Sequence, residues 1–448
     1  MAKGLFFALE SETDVVEPVG EMVPEVQAEV EAGTAELNTQ ENDVEEMSAA
    51  IEEAEADSET LGDIQEVMAD SVEEGEGLDE TAAEIAEVAV EAICARLGIR
   101  SKQSVMPAME SFGSKNSRLA ATKIAIESIG DTIKKIWEAI KAAAIRLWEK
   151  IKSFFIGVAK NTGALSKHLE GLKQRVQNLD DTKKPVETDL EIESLAKGFS
   201  IKKKADFTTA KAIISNSHNL LKAADSLSTE VLAKTDVVKG LISKSEITDS
   251  EFQSVMNDST KSVISRVSQV LSTASGLGGD TGAFKTDKKT KVDYFGPFAS
   301  CRGLAVYDQM KGTADNEYHS YRVSITSVDS IAATKIKALT KDQMLDLIKE
   351  ALALLDAMEA YEKVQKNSEK IVAATKATSD VAIKEVAKVS EGSSAKGRIF
   401  REVASEMNGI NSIVAGLGVS IPKAVFDAVK LSGDYVSASI ANFGEKKK

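Results

Sequence analysis

The chain has 448 residues, enough for two or three domains and a sizeable core, and its formal charge of −16 comes from 71 acidic against 55 basic side chains. Scarce aromatics and only six prolines in a sequence rich in Ala, Glu, Lys, Val, Ile and Ser point to long helices, and two cysteines, Cys94 and Cys301, argue against a disulfide-built secreted scaffold. No apolar stretch approaches the roughly 20 residues needed to span a bilayer, and the run after Lys3 turns acidic at Glu10, too soon for a signal peptide.

The charge is divided sharply along the chain. Residues 1–110 carry 30 acidic and 4 basic side chains, a net of −26, so the other 338 carry 41 acidic and 51 basic, a net of +10. Residues 10–40, acidic and interrupted by Pro18 and Pro24, read as disordered. From 44 to 97, Met47, Ile51, Leu61, Ile64, Met68, Ile85, Val88, Ala92 and Ile93 return at helical spacing and predict marginal helices with a heavily acidic outer face. Such a leader is either a solvated tail or a removable propeptide that masks the basic body.

The two polyelectrolytes meet at residues 105–114. Pro107 discourages helix before it, and the run from Phe112 to Ser117 reads as a turn into the next helix. Extended, exposed backbone there suits a protease. The pattern small residue, any residue, Glu occurs as Ala108-Met109-Glu110, followed by Ser111, and earlier as Ala8-Leu9-Glu10, a secondary candidate, Ala50-Ile51-Glu52 and Ser71-Val72-Glu73. It also occurs at Ala125-Ile126-Glu127, Ser228-Thr229-Glu230 and Ala357-Met358-Glu359, where helical periodicity protects it.

Residues 119–159 hold the strongest periodic signal. Ile126, Gly130, Ile133, Trp137, Ile140, Ala144, Leu147, Ile151, Phe154 and Val158 alternate in steps of four and three, the spacing of a heptad seam, on a helix about 60 Å long. A lysine-rich opposite face fits either the spine of a bundle or a membrane-interface helix. Further helices are predicted over 163–180, 205–227 and 249–273, with a short element at 187–197. The glycine run 276–282 has no preceding strand and no Gly-Lys-Ser/Thr ending, so it is not a phosphate loop. Residues 304–307 and 318–325 alternate as a small hairpin, and helices resume from Asp342, one of them starting at Pro422. The layout is a mainly α, elongated helical bundle: an acidic propeptide (1–110), a basic helical body (111–290), a β-hairpin insertion (291–330) and a C-terminal helical region (331–448).

Little in this layout suggests catalysis. His168 and His218 read as exposed polar positions and His319 as a strand residue, and neither cysteine has a neighbour at metal-ligand spacing. No nucleophile elbow or His-Glu-x-x-His occurs, and no cofactor is expected. Lys202, Lys203 and Lys204, with Lys288 and Lys289, suit nonspecific, salt-dependent phosphate contacts, because little Arg or aromatic residue is interleaved to read bases.

An acidic leader, a small-x-Glu junction before a serine, and a long helical body with an embedded hairpin resemble the internal head proteins of phiKZ-type giant tailed bacteriophages. The resemblance implies a structural virion protein, made in the host bacterial cytoplasm and packaged inside the capsid in an inner body around which double-stranded DNA is arranged. It implies removal of the propeptide by the phage prohead protease after Ser-x-Glu or Ala-x-Glu, which maps to Ala108, Met109 and Glu110, with Ser111 as the new N-terminus. Other internal head proteins, or further copies of the chain, are the implied partners. Two alternatives stay open: a membrane-active protein using helix 119–159, and a helical scaffold that is never processed.

Overall fold

A computed structural model describes residues 24–98, 105–180, 185–186, 188–244, 247–272, 290–295, 298–311, 317–327, 332–359, 361–386 and 413–443, with short runs between 399 and 410. Its spine is α3 (Lys115–Gln177), 63 residues in one helix and about 95 Å long. The helix starts where Ser114 and Ser117 cap each other, and it runs through Gly157 and Gly163 without the break expected near 160. Gly163 meets no neighbour, whereas Gly157 lets Leu37 and Gln40 approach to 3.3 Å of where a Cβ would stand.

Ile133, Trp137, Ile140, Leu147, Ile151 and Phe154, the predicted seam, are all buried. One side of α3 packs against α1 (Pro24–Glu73), and the other against α7 (Lys341–Glu359), α8 (Glu362–Val386) and α9 (Ile421–Ala441). A second central helix, α5 (Phe207–Ile242), starts on the Asp206 and Thr209 capping box and packs on α6 (Asp249–Ser272), α7, α8 and α9. Helix α2 (Glu80–Arg96) packs on α1, and the short α4 (Glu193–Gly198) on α9.

The region expected as a two-stranded hairpin is a three-stranded antiparallel sheet. The strands β2 (Thr290–Phe295), β3 (Arg302–Lys311) and β4 (Tyr318–Ser327) pair in chain order. β2 escaped notice because it follows a glycine and lysine stretch that reads as loop. Two-residue strands, β1 (Asp189–Leu190) and β5 (Ile336–Lys337), pair separately. The larger sheet rests on α6 through β4: the Phe252 and Tyr318 rings meet edge to face at 5.1 Å, and Thr260 donates to the His319 carbonyl at 2.8 Å.

Beneath the sheet, Lys234 of α5 is paired with Glu406, both almost wholly buried. Lys234 also donates to Thr260 at 3.1 Å and sits 4.3 Å above the Tyr321 ring, while Ser320 donates to the second Glu406 oxygen at 2.7 Å. Enclosed charges persist only when paired and hydrogen-bonded, so this network fixes the sheet's position on the helices. His168, expected at the surface, is 8% exposed against Gly433, and burial lowers its pKa. Cys94 and Cys301 are both buried and not joined in a disulfide, and the Cys301 thiol donates to the Lys197 carbonyl at 3.3 Å.

Candidate maturation site and leader interface

The junction is a surface turn with anchored flanks. Met109–Phe112 forms one turn of 3-10 helix, in which the Ser111 N–H donates to the Ala108 carbonyl at 2.8 Å and the Gly113 N–H to the Glu110 carbonyl at 3.4 Å. Ala108 itself is extended (φ −57°, ψ 137°), and both it and Glu110 are exposed. Met106 and Phe112, 3% and 1% exposed, are sunk in the core on either side. The sequence predicted extended backbone; burial of Phe112 instead draws the Glu110–Ser111 peptide into a closed turn. A protease that binds extended substrate must first open that turn, which takes Phe112 out of the core.

The leader is far more ordered than its composition suggests. Helix α1 begins at Pro24, so the disorder expected to residue 40 is absent from 24 onward. It runs antiparallel to α3, as shown by close pairs along its length: Gly33 with Asn161, Leu37 with Gly157, Asp43 with Lys150, and Gln65 with Gly130. Val30, Leu37, Val44 and Ile51, spaced by seven, are buried, as are Leu61 and Met68. Each such side chain contributes about 1.5–3 kcal/mol on burial. This is a heptad seam with one large apolar residue per heptad, helical because α3 supports it rather than by its own amphipathicity.

Polar contacts fix the register. Gln65 donates to the Ile126 carbonyl at 3.0 Å, and the Leu78 N–H to Thr122 at 3.0 Å. Acidic leader residues meet cations of the body: Asp43 with Lys150 at 2.7 Å, Glu41 with Arg302 at 2.9 Å, and Glu52 with Arg322 at 2.9 Å. Burial opposes the charge on Arg302, yet Glu41 and Asp427 outweigh it and hold its pKa above the ordinary value. Glu55 is enclosed in the same interface, and one of its oxygens has no hydrogen-bond partner among the described residues. Burial pushes its carboxyl well above the usual range, opposed by Lys311 and reinforced by Glu52. Sequence reading missed these partners; the seven-residue spacing from Val30 to Ile51 was the available signal.

The other candidate residues are dispersed. Ser71-Val72-Glu73 closes the last turn of α1, with Glu73 exposed, whereas Ala50-Ile51-Glu52 lies in the seam. Lys202 and Lys203 occupy the centre of a tight two-residue turn, both with positive φ, bracketed by reciprocal backbone bonds between Ile201 and Lys204. All three lysines are exposed, and Lys204 pairs with Asp206 at 2.8 Å. Lys288, Lys289, Ala8, Leu9 and Glu10 lie outside the described residues. No group of three or more His, Cys, Asp or Glu side chains suited to a metal occurs among the described residues, and no helix there is long and apolar enough to cross a membrane.

No curated protein and no solved structure matches the chain. A family model does match, that of the phiKZ-like phage internal head proteins, over residues 39–438, and so takes in most of α1 together with the body. On that match, which spans most of its length, the chain belongs to the phiKZ-like phage internal head proteins.

Proposed function

We propose that the chain is a precursor of a structural protein of the capsid interior, cut after Glu110 by the phage prohead protease, and that the remaining body lies among packaged DNA in an inner body. The observation that carries this reading is that the division between net −26 and net +10 falls at an exposed small-x-Glu turn in a member of an internal head family. In the precursor, Glu41, Asp43 and Glu52 occupy cations of the body, and the chain as a whole, at −16, is repelled by phosphate. Hydrolysis adds one water across the Glu110–Ser111 peptide and leaves a carboxylate on Glu110 and an ammonium on Ser111. Loss of the leader then leaves a basic surface suited to nonspecific, salt-dependent contact with double-stranded DNA.

Other internal head proteins or further copies of this chain are the proposed neighbours in the particle. A membrane role for residues 119–159 finds less support, because Trp137, Ile140 and Phe154 are covered within the fold. The test is the N-terminal sequence and intact mass of the protein from purified virions. A chain starting at Ser111 is expected; one starting at Met1 or Ala2 overturns the reading.

A further inference from the structure

We infer that the body holds the severed leader as a helical peptide partner, so that a cut after Glu110 does not by itself free it. The inference rests on the proposed cleavage, which it deepens by assigning an interaction surface and its occupant. The pairs described above that join α1 to the body, from Gly33 with Asn161 to Gln65 with Ile126, involve no residue of 105–114. The antiparallel seam from Gly33 against Asn161 to Gln65 against Gly130 is closed without any help from residues 105–114. The pairs of Glu41 with Arg302 and Glu52 with Arg322 reach from α1 to the sheet, a second surface independent of α3.

Cutting one connection removes only the tether. The fragments then stay together to the extent that their interface is stronger than the cost of holding two molecules as one. Here the interface is a 50-residue helix with Val30, Leu37, Val44, Ile51, Leu61 and Met68 buried along it. A second cut after Glu73 would part α2 from α1 and still leave all six on one fragment. Only a break between them divides them, and the Ala50-Ile51-Glu52 copy that lies there is shielded by burial of Ile51 and by the Glu52 pair with Arg322. The electrostatic change therefore waits on α1 peeling from α3, and the groove so exposed is selective for an acidic helix with apolar residues every seventh position.

The test places the recognition sequence of an unrelated protease between Glu110, which is exposed, and Ser111 in the otherwise intact chain, so that Phe112 stays with the body as in the proposed cut. After complete cutting, leader and body are expected in one size-exclusion peak in equal molar amounts, at low salt and at about 1 M salt, where exposed charge pairs are screened. Separation on cutting alone, or on raising the salt, overturns the inference. In a second chain, Leu37→Asp with Ile51→Asp, the leader is expected to leave on cutting; retention there would show that the seam is not what holds it. Because the cut is engineered, these outcomes do not depend on where the virion protein begins, so the proposed maturation and the retention of the leader fail separately.

Discussion

Glu41 of the leader accepts a hydrogen bond at 2.9 Å from Arg302, which stands 261 positions later at the start of β3. The carboxylate is 5% exposed and the guanidinium 24%, with Asp427 3.7 Å away on the far side. Removing one member of an enclosed pair strands the other. Arg302→Ala is therefore expected to cost on the order of 3 kcal/mol, and Arg302→Ala with Glu41→Gln less than that. Thermal or urea unfolding of the single and double variants measures the coupling; a double variant no more stable than Arg302→Ala would mean that the two residues act independently.

A second prediction concerns Lys234 and Glu406. Lys234→Met leaves Glu406 enclosed beside Tyr321 with Ser320 as its remaining hydrogen-bond partner among the described residues, and a loss of about 3–5 kcal/mol is expected. Replacing both charges with apolar residues is expected to recover most of it. Denaturant unfolding distinguishes the two cases, and equal losses would show that packing rather than charge holds this site.

These two pairs mark the limit of what the sequence discloses. The α3 seam was legible because Ile133, Trp137, Ile140 and Leu147 repeat at the spacing of one helix face, a local property. In the leader, helix was legible from residue 44 onward but not over residues 24–40, where Gly33 and Gln40 spoil the local amphipathicity and the remaining signal is one apolar residue in seven. Its order is conferred by α3, which no window on residues 24–40 contains. At the junction the sequence indicated extended backbone and a turn over 112–117, whereas the chain turns at 109–112 and is helical from 115, because the core position of Phe112 depends on helices distant in sequence. His168 failed for the same reason: Gly433, which makes room for it, is 265 residues away.

Stability should depend on pH through Glu55. Burial raises its folded pKa above the unfolded value, so between those two values the folded chain binds a proton that the unfolded chain has released. Stability from this group is then present below about pH 4 and is lost as the pH rises through the window. Glu55→Gln removes the charge and keeps the shape. The variant is expected to melt higher than the parent at neutral pH, with the gap shrinking towards pH 4; a gap that grows on acidification would assign the opposite sign.

Opening of the junction turn should limit cutting at Glu110. Its backbone bonds from Ser111 to Ala108 and from Gly113 to Glu110 are few, but Phe112 must leave the core before residues 108–111 can extend. When opening and closing are fast relative to cleavage, the rate follows the population of the open form, and a truncated phenylalanine gives up about 3–5 kcal/mol of packing where the site cannot collapse. Only part of that resists local opening, so Phe112→Ala is expected to speed cutting after Glu110 by about tenfold or more, a difference of roughly 1.4 kcal/mol. A glutamate-specific protease followed by mass spectrometry reads this directly, with the cut after the exposed Glu73 as the internal reference. Equal acceleration at both positions would point to general loosening of the leader, whereas acceleration confined to Glu110 identifies Phe112 as the latch that sets when the junction becomes available.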